Sequence, residues 1–189
     1  SSNNSNTRAV TFTSNTLTLT GTGTVWDTGT ITGMTLTQGT GTISISGATA
    51  TFAGGGDTYY NVAFTNTTAG NVSTITGTNT FNNLTVTAAA AGSAATILTF
   101  GANQTISGTL SASGSSTLAR ATMNSSVAGT QRTITATTVS LVGINFQDIN
   151  AQGSIPWTGT SLVNLGNNSN ITFASKTVYW SLLAGGNWS

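Results

Sequence analysis

Thr16-Leu17-Thr18-Leu19-Thr20-Gly21-Thr22-Gly23-Thr24-Val25 is the stretch that decides the fold, because threonine alternates in it with an apolar residue or glycine. A period of two sends alternate side chains to opposite faces of a β-strand, whereas an amphipathic helix repeats its apolar residues three or four apart. One face is expected to be buried and the other hydroxylated. The pattern extends in both directions: Val10/Phe12, Leu17/Leu19, Val25, Met34/Leu36, Ile43/Ile45 and Ala48/Ala50/Phe52 are the expected inward residues of the first section, with Thr or Ser between them.

Beyond this section the alternation repeats at longer range. Gly21-Thr22-Gly23-Thr24-Val25 returns as Gly39-Thr40-Gly41-Thr42-Ile43 at an offset of 18. Asn61-Val62-Ala63-Phe64-Thr65 aligns with Asn83-Leu84-Thr85-Val86-Thr87 at an offset of 22, and Ile106 falls a further 22 beyond Leu84. Short strands repeated every ~20 residues, with Gly and Asn at the turns, are what a solenoid needs. The expected fold is therefore all-β, a parallel β-helix or solenoid with coils of about 18–22 residues, stacked as eight or nine coils at ~4.8 Å each. The alternative is a β-sandwich or jelly roll, since antiparallel strands alternate in the same way. Residues 1–8 read as a polar connector or arm, 9–180 as a single β-solenoid domain, and 181–189 as a cap or the start of a next module. The Ala-rich run 88–95, broken by Gly92-Ser93, reads as a small-residue loop.

Composition narrows the chemistry. The 189 residues include four Lys or Arg, three Asp or Glu, and no His or Cys. Thiol and imidazole catalysis and the usual zinc, copper and iron ligands are thereby removed, so no cofactor is expected. A net charge of +1 spread along the chain supplies no basic footprint for a nucleic-acid backbone. No apolar run approaches the ~20 residues of a membrane-spanning helix, so no membrane insertion is expected. The start, Ser1-Ser2-Asn3-Asn4-Ser5-Asn6, has neither the basic nor the apolar region of a signal peptide. It reads as a processed product or a section of a longer polypeptide located outside a cytoplasm.

Thr80-Phe81-Asn82-Asn83-Leu84-Thr85-Val86, Gly55-Gly56-Asp57-Thr58-Tyr59-Tyr60-Asn61-Val62, and Tyr179-Trp180 with Gly186-Asn187-Trp188-Ser189 resemble the Thr/Gly/Asn-rich repeat modules of phage structural and tail-fibre proteins and of bacterial secreted surface adhesins. The resemblance implies a shaft, spike or adhesin stalk at the cell surface, in the extracellular space or on a virion. It carries no catalytic residues. Open strand edges at the ends of such a stack template further strands, so a homo-oligomer or filament is the expected assembly.

Three sets of residues could carry chemistry. Asp27, Asp57 and Asp148 are the only carboxylates, and the offset of 30 between Asp27 and Asp57 is not a multiple of 18 or 22, so stacking is not expected to pair them as hydrolysis requires. Carbohydrate binding would use aromatic faces with polar neighbours, which makes Trp26, Asp27, Tyr59, Tyr60, Trp157 and Trp188 the candidates for a cell-surface glycan. Ice binding would use regular hydroxyl and methyl rows; Thr16, Thr18, Thr20, Thr35, Thr37, Thr76, Thr78, Thr85 and Thr87 are the candidates. The competing reading is structural, because threonine combines strand propensity with a soluble face when charge is avoided.

Overall fold

A computed structural model describes residues 8–30, 33–66, 68, 70–88, 96–114 and 119–175. The first circuit of the chain is β1 (Arg8–Phe12), β2 (Thr16–Leu19) and β3 (Gly23–Asp27), and the second is β4 (Met34–Gln38), β5 (Thr42–Ile45) and β6 (Ala50–Ala53). From there one long strand covers two sides of each circuit. These long strands are β7 (Thr58–Phe64), β9 (Thr80–Thr87), β11 (Gln104–Ser113) and β13 (Arg132–Val142). They alternate with β8 (Val72–Thr76), β10 (Thr96–Phe100), β12 (Ala121–Ser125) and β14 (Ile144–Gln147), and β15 (Ile149–Gly153) and β16 (Val163–Asn164) close the series.

Among the described residues every strand pairs in parallel with its counterpart one circuit away. The result is two seven-stranded sheets in the orders β15-β13-β11-β9-β7-β5-β2 and β16-β14-β12-β10-β8-β6-β3, and the pair β1-β4. This is a parallel β-solenoid. A sandwich or jelly roll would pair its strands antiparallel through hairpins. Seven strands at ~4.8 Å stack to roughly 29 Å, shorter than the eight or nine coils expected from the period.

The difference lies in the coil length. The register step is 26 from Thr16 to Thr42, 19 from Thr42 to Asn61 and 22 from Asn61 to Asn83. It lengthens to 30 from Gln104 to Ile134 and shortens to 17 from Arg132 to Ile149. The phrase Gly39-Thr40-Gly41-Thr42-Ile43 is not stacked on Gly21–Val25, since Thr42 lies over Thr16. The repeat at an offset of 22 is a true coil step between β7 and β9: Asn61 lies opposite Asn83, Val62 opposite Leu84 and Phe64 opposite Val86.

The alternation in each strand becomes columns in the stack. Leu17, Ile43, Val62, Leu84, Leu110 and Val139 form one inward column, and Leu19, Ile45, Phe64, Val86, Ala112 and Leu141 form the next. Within both columns the members from the second circuit to the fifth are buried, and Leu17, Leu19 and Val139 are only half-buried. Burying such a side chain contributes roughly 1.5–3 kcal/mol, so each interior coil is held by apolar rows above and below it. Between columns, side-chain amides stitch coil to coil. Asn83 Nδ2 donates to Asn61 Oδ1 at 2.9 Å, and Asn71 Oδ1 accepts the Thr49 N–H at 2.7 Å. At one corner the backbones approach so closely that only glycine fits: a Cβ on Gly47 would run into the Gly21 carbonyl.

The two ends of the stack differ. At the C-terminal end Trp157 is fully buried, Leu162 nearly so, and Ile171 and Phe173 pack on the core with Phe173 6.4 Å from Phe146. Asparagines cover the exposed edges there. Asn168 Nδ2 donates to Phe146 O at 2.8 Å while its Oδ1 accepts the Ile149 N–H, and Asn170 Nδ2 donates to Ala151 O at 3.0 Å. At the N-terminal end β1, β2 and β3 each pair on one side only among the described residues. Val10, Phe12, Leu17, Leu19, Val25, Met34 and Leu36, all expected to be inward, are only half-buried, in contrast to Ile43, Ile45 and Phe52 at 0% exposure.

Candidate functional site

The aromatic candidates resolve into three environments. Trp26, Phe52, Tyr59 and Phe81 form one cluster with Phe12 at its edge. Trp26 stacks on Phe52 with ring centroids 6.2 Å apart, and Tyr59 meets Phe52 edge-on at 4.8 Å. The Tyr59 hydroxyl is fully engaged: it donates to Gly54 O at 2.9 Å, accepts the Trp26 Nε1–H at 3.0 Å and lies 3.0 Å from Thr28 Oγ1. Burial pushes the Tyr59 phenol above its ordinary value, against the opposing pull of the Thr28 and Trp26 hydrogen bonds.

Tyr59 is therefore a core residue, not a sugar platform. Trp157 is likewise a core residue, buried in the C-terminal plug with Nε1 donating to Gln152 O at 3.2 Å. The physical reason is shared: a large ring fills the core and its polar atom finds a carbonyl or hydroxyl. Trp26 is half-buried and tied to Tyr59, Tyr60 is exposed, and Trp188 lies outside the described residues.

Each of the three carboxylates lies at a strand end or in the turn beside one. Asp27 ends β3, and its side chain closes a turn by accepting the Thr30 N–H at 3.2 Å and the Thr30 hydroxyl at 2.6 Å. The hydroxyl bond is the main cause that lowers its pKa. The turn after Asp27 abuts the glycine turn before Asp57, since a Cβ on Gly29 would lie 3.3 Å from Gly55 Cα, and the charges of both aspartates act on Tyr59. An offset of 30 falls on neighbouring turns because the early coils are longer than the step between β7 and β9, as the step of 26 from Thr16 to Thr42 shows. Asp148 follows β14 and is buried, with Oδ2 accepting the Gly129 N–H at 3.1 Å and Oδ1 accepting from Asn167 Nδ2 at 2.6 Å. Among the described residues no group of three or more His, Cys, Asp or Glu could hold a metal ion.

The threonine candidates do not share a face. Thr16 and Thr18 lie on β2 and Thr85 and Thr87 on the second half of β9, in one seven-stranded sheet; Thr35 and Thr37 lie on β4, and Thr76 on β8 in the other sheet. Thr20 follows β2, and Thr78 sits in the turn after β8. The expected single array is thus distributed over three sides, because alternation states that a threonine points outward but not from which side. The stack does hold threonine rows that spacing did not reveal. Thr24, Thr51, Thr74 and Thr99 are consecutive in one, and Thr58, Thr80, Thr105 and Thr135 in another.

The C-terminal asparagine cap is a feature that sequence reasoning missed. Its signal is the density of amides in Asn164-Leu165-Gly166-Asn167-Asn168-Ser169-Asn170, where apolar alternation stops. The chain matches no protein-family model, and no curated protein or solved structure matches it.

Proposed function

We propose that this chain is a non-enzymatic structural element, an extracellular or virion-borne β-solenoid that serves as the shaft of a fibre or spike or as an adhesin stalk. The observation that carries this reading is the pair of parallel seven-stranded ladders running side by side through the chain. A shaft must resist bending, and here bending would separate main-chain ladders, apolar columns and amide rows together. The outward residues are largely Thr, Ser and Asn, which keep the rod soluble with few charges. Reactive groups are scarce: three carboxylates, no His and no Cys.

Electron microscopy of the purified chain tests the reading, with straight rods or rod-like assemblies expected. Compact particles that cleave a polysaccharide would overturn it. A glycan-binding stalk is the second reading, favoured by Tyr60, an aromatic side chain 37% exposed beside the polar edge of β4. It predicts hits on a glycan array that disappear in Tyr60→Ala.

A further inference from the structure

We propose that Tyr60 and Asn82 form a shallow binding site for an uncharged hexopyranose, with Thr58 and Thr80 as its hydroxyl rim. The inference rests on the glycan-binding reading and names the class of sugar that this reading leaves open.

Two neighbouring coils build the site. Tyr59 is fully buried, so alternation along β7 turns Thr58 and Tyr60 outward, and both are exposed, Tyr60 at 37%. On β9 the buried residue is Phe81, with Thr80 and Asn82 outward on either side of it. The pairs Thr58–Thr80, Tyr59–Phe81 and Asn61–Asn83 fix the register, so Asn82 lies beside Tyr60 one coil on, at the ~4.8 Å strand spacing. Among the described residues Tyr60 is the one aromatic side chain so exposed; the other rings are buried or half-buried.

Two neighbours set this pair apart from the rest of the outer surface. Asn83 is engaged at both ends of its amide, donating to Asn61 Oδ1 and accepting the Thr109 N–H at 2.9 Å. The adjacent Asn82 amide bonds to no described residue, and so offers a donor and an acceptor to vicinal hydroxyls. Gln38 Oε1 accepts the Tyr60 N–H, so the strand that carries the ring is held by β4 on one side and β9 on the other. A platform fixed in this way has little conformational freedom left to lose on binding. The phenol ring supplies an apolar face for the C–H groups of a pyranose, while the sugar's hydroxyls reach the Asn82 amide, Thr58 and Thr80.

Charge selects the sugar. β4, β7, β9 and β11 contain no charged residue. The nearest charge along the chain is Asp57, immediately before β7, and the turn after Asp27 abuts the turn before Asp57. A uronate or sialate carboxylate would meet repulsion there and no counter-ion from these strands, whereas a neutral hexose meets a ring, an amide and hydroxyls.

Saturation-transfer NMR of the full chain with the methyl β-glycosides of glucose, galactose and glucuronic acid tests the proposal, because the glucose and glucuronic acid probes differ only by a carboxylate in place of a hydroxymethyl group. A neutral glycoside should bind, with a dissociation constant on the order of millimolar for one ring and a few hydrogen bonds. At low salt the glucuronoside should bind about fivefold more weakly, the scale of one solvent-exposed charge contact, and Asp57→Asn should close the gap. Tyr60→Ala and Asn82→Ala should each weaken the neutral glycoside at least about fivefold with unchanged circular dichroism, and Tyr60→Trp should retain it.

Chemical-shift mapping on the parent chain stands even if a variant fails to fold: the neutral glycoside should move the amide signals of Thr58, Tyr60, Thr80 and Asn82 and leave those of Asn168 and Asn170 in place. Glucuronoside binding as tight as the neutral sugars, shifts centred elsewhere, or binding indifferent to Tyr60→Ala and Asn82→Ala would overturn this site while the glycan-binding reading stands. Failure of all three glycosides to bind would also overturn it, and an empty glycan array would then remove the wider reading as well.

Discussion

At the residue scale the most constrained side chain is Tyr59. It is fully buried, and its hydroxyl joins Trp26, Thr28 and Gly54. Tyr59→Phe keeps the ring but leaves those buried groups short of a partner, which costs about 1–3 kcal/mol; the change should appear as a lower urea midpoint with an unchanged slope. The ionisation of Tyr59 adds a pH signature. Its folded pKa is raised by burial, so its contribution is complete below the unfolded tyrosine value of ~10 and is lost as pH rises toward the folded value. Urea titrations across the alkaline range should therefore show a steeper loss of stability in the parent than in Tyr59→Phe. Arg120 shows the same economy with a cation. Its guanidinium donates to Asn145 Oδ1, to Ile144 O at 3.0 Å and to Ser161 O, tying the last circuits together, and burial lowers its pKa.

At the scale of the element, inward and outward positions of one strand should respond differently. Leu84 and Thr85 are neighbours on β9, one fully buried in an apolar column and the other in an outer row between Ala63 and Ser111. Leu84→Ala should cost about 2–5 kcal/mol, whereas Thr85→Ala should stay within roughly 0.5 kcal/mol. Denaturation of the two variants side by side checks this, and equal effects would mean that the face assignment of β9 is wrong. The corner at Gly47 makes a separate prediction about coil spacing. Because an added methyl would meet the Gly21 carbonyl, a fixed backbone atom, Gly47→Ala must push the first circuit away from the second. Hydrogen exchange should then rise across β1, β2 and β3 while the interior strands stay protected, since each coil depends on its nearest neighbours.

At the scale of the whole molecule the structure is built almost without charge. Four basic and three acidic residues in 189 leave little for salt to screen, and the ladders and columns that hold the stack are neutral. The melting temperature should shift by no more than a degree or two, roughly, between 20 mM and 500 mM sodium chloride, since surface ion pairs contribute only about 0–1 kcal/mol each. A large shift would show that Arg120, Arg132 or the aspartates carry more of the stability than their neutral partners do. The scatter of threonines over three sides bears on the ice-binding alternative as well. Ice recognition needs one flat, regular face, and the rows Thr24–Thr99 and Thr58–Thr135 lie on different sides. Solutions of the protein should accordingly show no thermal hysteresis.

Much of this architecture was legible in the chain because alternation is a local property. Thr16 to Val25 declares strands with a hydroxylated face, and the matching phrases around Asn61 and Asn83 declare one true coil step, borne out by a hydrogen bond between those two amides. The scarcity of charge and the lack of His and Cys are composition, and no fold could alter them. Stacking is different, because which residues lie above one another depends on the summed length of every turn between them. Register steps that vary from 17 to 30 placed Ile106 over Phe81 and not Leu84, brought the turns of Asp27 and Asp57 together, and sent the threonines to separate sides. The burial of Tyr59 and Trp157, the asparagine cap and the half-buried apolar residues of the first circuit belong to the same class. Each is a relation between coils, which the order of residues along any single strand does not contain.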